Sequence, residues 1–133
     1  MAVFGVGIDV ADVARFGRLL ERGGTGFASH WFTDDELADS LGRVDPARHL
    51  AQRFAAKEAV VKALALRWEH DAARWLEIEV RAIPGTGRGQ VQLHGTSRDW
   101  AAHVHVDEIL LTISTTGGIT SALAIAQLGP STT

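Results

Sequence analysis

The stretch RFAAKEAVVKAL, residues 53–64, decides how this chain is read. Phe54, Val61 and Leu64 recur at helical spacing, so the segment is a helix with an apolar side. Around that side stand three cations, Arg53, Lys57 and Lys62, and one acid, Glu58. Residues four apart on a helix point the same way, which pairs Glu58 with Lys62 and Arg53 with Lys57. On spacing alone, Glu58 and Lys62 make a solvated ion pair worth about 0.3–0.5 kcal/mol.

Upstream, Asp45-Pro46 opens this helix, an N-cap followed by proline at the first helical position. Thr33 and Glu36 have the capping-box spacing and start a short helix in FTDDELADSL. In DVARFGRLLER, Val13, Phe16, Leu19 and Leu20 share a helical face, and Gly23, Gly24 and Gly26 are expected to end the helix. VFGVGIDV is a strand by its β-branched content, with glycines where a neighbouring backbone can come close.

Downstream the period changes from helical to alternating. LEIEVRAI and QVQLH alternate, with PGTGRGQ between them as a hairpin loop. SRDWAAH is a turn or two of helix, and ILLTIST and TSALAIAQ are strands joined through Thr116-Gly117-Gly118. Three helices early and about five strands late predict an α+β fold. Its mainly antiparallel sheet packs on the Phe54, Val61 and Leu64 side of the long central helix. Residues 1–133 form one domain, with 129–133 as a flexible tail.

Apolar residues are 46% of the chain and charged ones 22%, the balance of a soluble globular protein. Net charge is −3, so the molecule as a whole is no nucleic-acid binder, and any grip on phosphate must be local. The lack of cysteine excludes disulfides, thiolate zinc sites and thiol nucleophiles. No basic leader precedes a long apolar run, and no segment approaches the roughly 18 apolar residues of a membrane span. A cytoplasmic location is expected.

Asp9 changes the reading of Glu58. It ends the apolar strand GVGID, where an unpaired charge is costly. A strand-end aspartate plus a helical glutamate among cations suits magnesium. That ion takes one or two carboxylates, keeps waters and completes its shell with substrate phosphate oxygens. Other candidates are weaker. His103 and His105 alternate as if on a strand but lack further ligands for zinc, and Gly85-Thr86-Gly87-Arg88-Gly89 lacks the ending of a phosphate loop. Trp31, Trp68, Trp75 and Trp100 share no spacing and read as core or subunit-contact residues.

GVGIDVADVARF, FTDDEL, RFAAKEAVVKAL and LEIEV with its glycine hairpin resemble, in that order, the short holo-acyl-carrier-protein synthases. These are small phosphopantetheinyl transferases acting on carrier proteins of fatty-acid and polyketide synthesis. The resemblance spans nearly the whole chain. It implies that Asp9 and Glu58 hold Mg2+ against the pyrophosphate of coenzyme A, the donor substrate. It further implies that Lys62 contacts those phosphates, while Arg53 and Lys57 stand around the nucleotide. Asp9, Glu58 and Lys62 would be the catalytic residues, and Glu58 is the candidate base for the serine proton. A homotrimer with sites between subunits is also implied.

Arg15, Arg18 and Arg22 form a stripe along the first helix that pattern alone explains as a solvated face. The resemblance makes this stripe the surface that receives an acidic acyl carrier protein, with Arg15 the closest match. One position departs from the family. Thr112-Ile113-Ser114-Thr115 carries threonine where a histidine near the nucleotide is usual, and threonine cannot become a cation near neutral pH. That departure leaves a second reading open: a catalytically weak homologue serving as a carrier-protein or coenzyme A binding accessory.

Overall fold

A computed structural model describes residues 2–66, 72–86 and 88–130. Trp68, Gly87 and residues 131–133 of the expected tail lie outside the described residues. Strand β1 (Val3–Asp12) leads into helix α1 (Val13–Trp31), α2 (Asp34–Leu41) and the long α3 (Pro46–Ala63). After a 3-10 segment (Ala72–Glu77) come β2 (Ile78–Ile83), β3 (Arg88–Leu93), α4 (Gly95–His103), β4 (Val106–Thr116) and β5 (Ile119–Leu128). The five strands form one sheet in the order β1-β5-β4-β3-β2, every neighbouring pair antiparallel. The α+β expectation stands.

The capping signals work as their chemistry requires. Thr33 Oγ1 accepts from Glu36 N while Glu36 Oε1 accepts from Thr33 N, and Asp45 Oδ1 accepts from Arg48 N at the head of α3. Asp12 likewise caps α1 through Arg15 N.

Helix α1 does not stop at its glycines but runs through them to Trp31. Each interior glycine costs about 1 kcal/mol of helix propensity. Aromatic burial beyond the glycines outweighs that cost. Phe27 packs on Phe16, and Trp31 sits against Phe54 and Trp75 at 5.4 and 5.1 Å between ring centroids. Leu19, expected on the buried face, is instead 40% exposed.

The sheet-facing side of α3 also differs from expectation. Phe54 belongs to the aromatic cluster between α1 and α3 and not to the sheet interface. Ala55, Ala56, Ala59 and Ala63 face the sheet instead, fully buried together with Val60. Across from them lie Gly5 and Gly7. A Cβ at Gly7 would stand 1.9 Å from the Ala59 carbonyl oxygen, and one at Gly5 would stand 2.2 Å from that of Ala63. Alanine on the helix and glycine on the strand thus bring two backbones together. This contact decides the distance between whatever side chains flank it.

Helices cover one face of the sheet. On the other, Val6, Ile8 and Val10 alternate outward at 57%, 61% and 59% exposure. His103 and His105 share no strand: the first ends α4 and the second sits in a left-handed turn at φ 64°. Gly129 N donates to His105 O, which pins the chain just before its last residues. Among the described residues no helix is long and apolar enough to cross a membrane.

Candidate active site

Alternation along β1 puts Gly5, Gly7 and Asp9 on the α3 side, so the close approach at the glycines delivers Asp9 to the helix. Glu58, on the turn of α3 facing β1, meets it: the two carboxyl groups share a hydrogen bond. Two anions that close cannot both ionise freely. Burial first, then the charge of Asp9 and the shared hydrogen bond, push the Glu58 carboxyl up to about 7, against the opposing pull of Lys62. Lys62 Nζ sits 3.3 Å from Asp9 Oδ1 and donates to Ile8 O at 2.9 Å. The solvated Glu58–Lys62 pair suggested by spacing is thus a three-residue cluster, with its lysine turned toward β1.

Does this cluster fit magnesium? Two hard carboxyl groups set against one another are a donor set whose repulsion a divalent cation would relieve. Among the described residues no third His, Cys, Asp or Glu joins them. That suits an ion that fills most of its shell with water and phosphate oxygens. The residues present fit the group.

Arg53 and Lys57, expected around a nucleotide, are placed elsewhere. Lys57 has no exposed surface, and its three donors are all used: Glu36 Oε1 at 2.6 Å, Trp31 O at 2.7 Å and Trp75 O at 3.0 Å. Burial lowers its pKa, and Glu36 opposes the shift. Arg53 is 2% exposed and bonds Asp39 of α2, on the opposite side of the helix from Glu58. Both face the α2–β2 layer because they sit on the arc of α3 that also carries Val60. A lysine three or four residues from Arg53, Phe54, Val60 and Val61 falls inside that inward arc, a signal the sequence carries.

Thr115 is also committed internally. Its hydroxyl accepts from Gln52 Nε2 at 2.8 Å and donates to Thr120 Oγ1 at 3.0 Å, tying α3 to the turn end of β4 and β5. Arg15, Arg18 and Arg22 line the exposed side of α1 as expected and pair with no acid among the described residues. Reading the sequence alone missed Glu36 as the acid of Lys57, Asp39 as the acid of Arg53, and Gln52 as the partner of Thr115. Glu36 was legible only as a cap. It is that too, and its Oε2 additionally accepts from Val80 N.

Comparison with known proteins gives a consistent picture. The family described as the 4'-phosphopantetheinyl transferase superfamily matches residues 5–124. A holo-(acyl-carrier-protein) synthase of Streptomyces coelicolor is 40% identical over 131 residues, covering 96% of this chain and 99% of that one. Its counterpart in Geobacter sulfurreducens is 32% identical over 125 residues, covering 94% and 98%. Among solved structures, the holo-(acyl-carrier-protein) synthase of Neisseria meningitidis superposes with a TM-score of 0.83 at 25% identity, covering 95% and 99%. A Chronobacterium ammoniagenes enzyme in complex with coenzyme A gives 0.76 at 28% identity, covering 98% and 100%.

Proposed function

Because this chain belongs to the 4'-phosphopantetheinyl transferase superfamily, we propose that it moves 4'-phosphopantetheine from coenzyme A to a serine of an apo acyl carrier protein. The observation that carries this reading is the meeting of Asp9 and Glu58, 49 residues apart in sequence, with Lys62 against them.

The serine hydroxyl oxygen forms a bond to the phosphorus nearest pantetheine. The bond from that phosphorus to the bridging oxygen breaks, and adenosine 3',5'-bisphosphate leaves with the electron pair. Asp9 and Glu58 would hold Mg2+, which supplies positive charge to the pyrophosphate. Lys62, half exposed beside Asp9, answers the remaining phosphate charge. Glu58, directly or through a metal-bound water, would accept the serine proton. Catalysis in phosphoryl transfer is chiefly positioning and charge neutralisation, so a small set of fixed charges is sufficient equipment.

The carrier protein docks on the Arg15, Arg18 and Arg22 stripe. Arg15 stands in the first turn of α1, six residues beyond Asp9, so an acidic helix laid along the stripe brings its serine toward the metal pair. The uncovered sheet face with Val6, Ile8 and Val10 supports a homotrimer, in which a neighbour covers that face and borders the site. Mass spectrometry of an apo carrier protein incubated with coenzyme A, Mg2+ and this protein tests the activity. The expected result is addition of the phosphopantetheine mass, abolished by EDTA. A carrier that binds but gains no mass would leave the accessory reading in its place.

A further inference from the structure

Helix α3 rests on the sheet through alanines set against the glycines of β1. Such a surface permits close approach but offers few projecting side chains to stop the helix from rolling. Roll matters here. A 10° rotation about the axis carries a side-chain end roughly 6 Å out through about 1 Å. Displacement on that scale at a reacting centre costs on the order of 10²-fold in rate.

The opposite side of α3 carries the fastening. Lys57 is the residue before Glu58, about 100° around the helix. Its ammonium bonds the last carbonyl of α1 (Trp31 O), the 3-10 segment (Trp75 O) and Glu36 of α2, and it lies 5.3 Å from the Phe32 ring centroid. Glu36 in turn accepts from Thr33 N and Val80 N. Five segments therefore meet at one fully buried ion pair. Stability alone does not call for such a pair, since well-packed apolar residues often serve as well. A buried ammonium with three fixed acceptors adds direction instead, because each bond tolerates only a narrow range of angles.

We propose that Lys57 and Glu36 are positioning residues for the metal site: their ion pair sets the roll of α3 and so aims Glu58 at Asp9. The inference rests on the metal reading given above. The test uses the full chain and Mn2+, which accepts the same hard oxygen ligands. Binding is followed by the loss of the free-ion electron paramagnetic resonance signal, at a temperature where circular dichroism shows each variant folded. Lys57→Met should weaken Mn2+ binding at least tenfold. Leu111→Ala, a core truncation in β4 that leaves every hydrogen bond of the ion pair in place, should change it less than twofold although it destabilises the protein. Should Lys57→Met not fold, Glu36→Gln decides, since it keeps an acceptor for Lys57 and Thr33 N; it should weaken binding at least threefold. Wild-type affinity in the deciding variant, or an equal loss in Leu111→Ala, overturns the proposal. A wild-type chain that binds no Mn2+ strikes the metal reading itself and removes the inference with it, and the wild-type arm alone reports that outcome.

Discussion

Asp9→Asn is expected to stabilise the metal-free protein near pH 8 while destroying its response to magnesium. Glu58 is raised from 4.5 to about 7, by burial first and by Asp9 next. A carboxyl raised on folding contributes stability that is complete below about pH 4.5 and is lost as pH rises through about 7. The full span corresponds to about 3 kcal/mol. Glu58 is partly exposed, and solvent screening cuts that to about 1–1.5 kcal/mol. Burial persists in the variant, so removing Asp9 recovers about half of it. The lost Lys62–Asp9 contact, 3.3 Å long with Lys62 53% exposed, takes back about 0.2–0.5 kcal/mol. The net gain is about 0.3 kcal/mol, near 1 °C in Tm for a domain of this size. Thermal melts in EDTA at about pH 5.5 and pH 8 should show the variant gaining on wild type only at the higher pH. Added Mg2+ should then raise the wild-type Tm and leave the variant unmoved. An Asp9→Asn protein that melts below wild type at pH 8 in EDTA would refute the carboxyl repulsion on which the metal site is argued.

Three further outcomes are expected. Arg15→Glu reverses charge on the docking stripe and should raise KM for the carrier protein tenfold or more, with coenzyme A affinity by calorimetry unchanged; equal losses in both would reject the docking role. Gly7→Ala drives a Cβ into the Ala59 carbonyl, 1.9 Å away, and should lower stability in urea by about 3 kcal/mol or prevent folding. Thr115→Val breaks the Gln52–Thr115–Thr120 chain and should cost about 1 kcal/mol in the same assay while moving the coenzyme A Kd less than twofold. A large loss of coenzyme A affinity would show instead that the hydroxyl serves the nucleotide.

Much of the fold was legible because its signals are local. The capping box and the Asp45-Pro46 start act within a few residues and operate in the structure as their spacing predicts. LEIEVRAI forms its strand only from Ile78, with Ile78, Glu79 and Val80 buried in a row and Arg81, Ala82 and Ile83 exposed, so its apparent alternation does not carry over. The glycines within α1 misled because helix termination there is a contest. Local propensity favoured a stop, while Trp31 found aromatic partners on α3 and in the 3-10 segment and Phe27 packed between Phe16 and Trp31. His103 and His105 misled for a related reason, since an apparent alternation fell across a helix end and a left-handed turn.

The candidate site divides the same way. Residue identities drew attention to Asp9, Glu58 and Lys62, because an acid ending an apolar strand and an acid among cations are chemical anomalies visible in one dimension. Spacing alone favoured a solvated Glu58–Lys62 pair, and the family resemblance was needed to set that aside. Partnership was not visible. Which of Arg53, Lys57, Glu58 and Lys62 faces β1 and which turns inward depends on the rotation of the helix. That rotation is set by residues distant in sequence: glycines on β1, alanines on α3, and Glu36 and Asp39 on α2. Charge pairs look alike in a sequence. Only folding assigns each to water, to a buried partner or to a second carboxylate, since the energy of a charge is decided by what surrounds it in space.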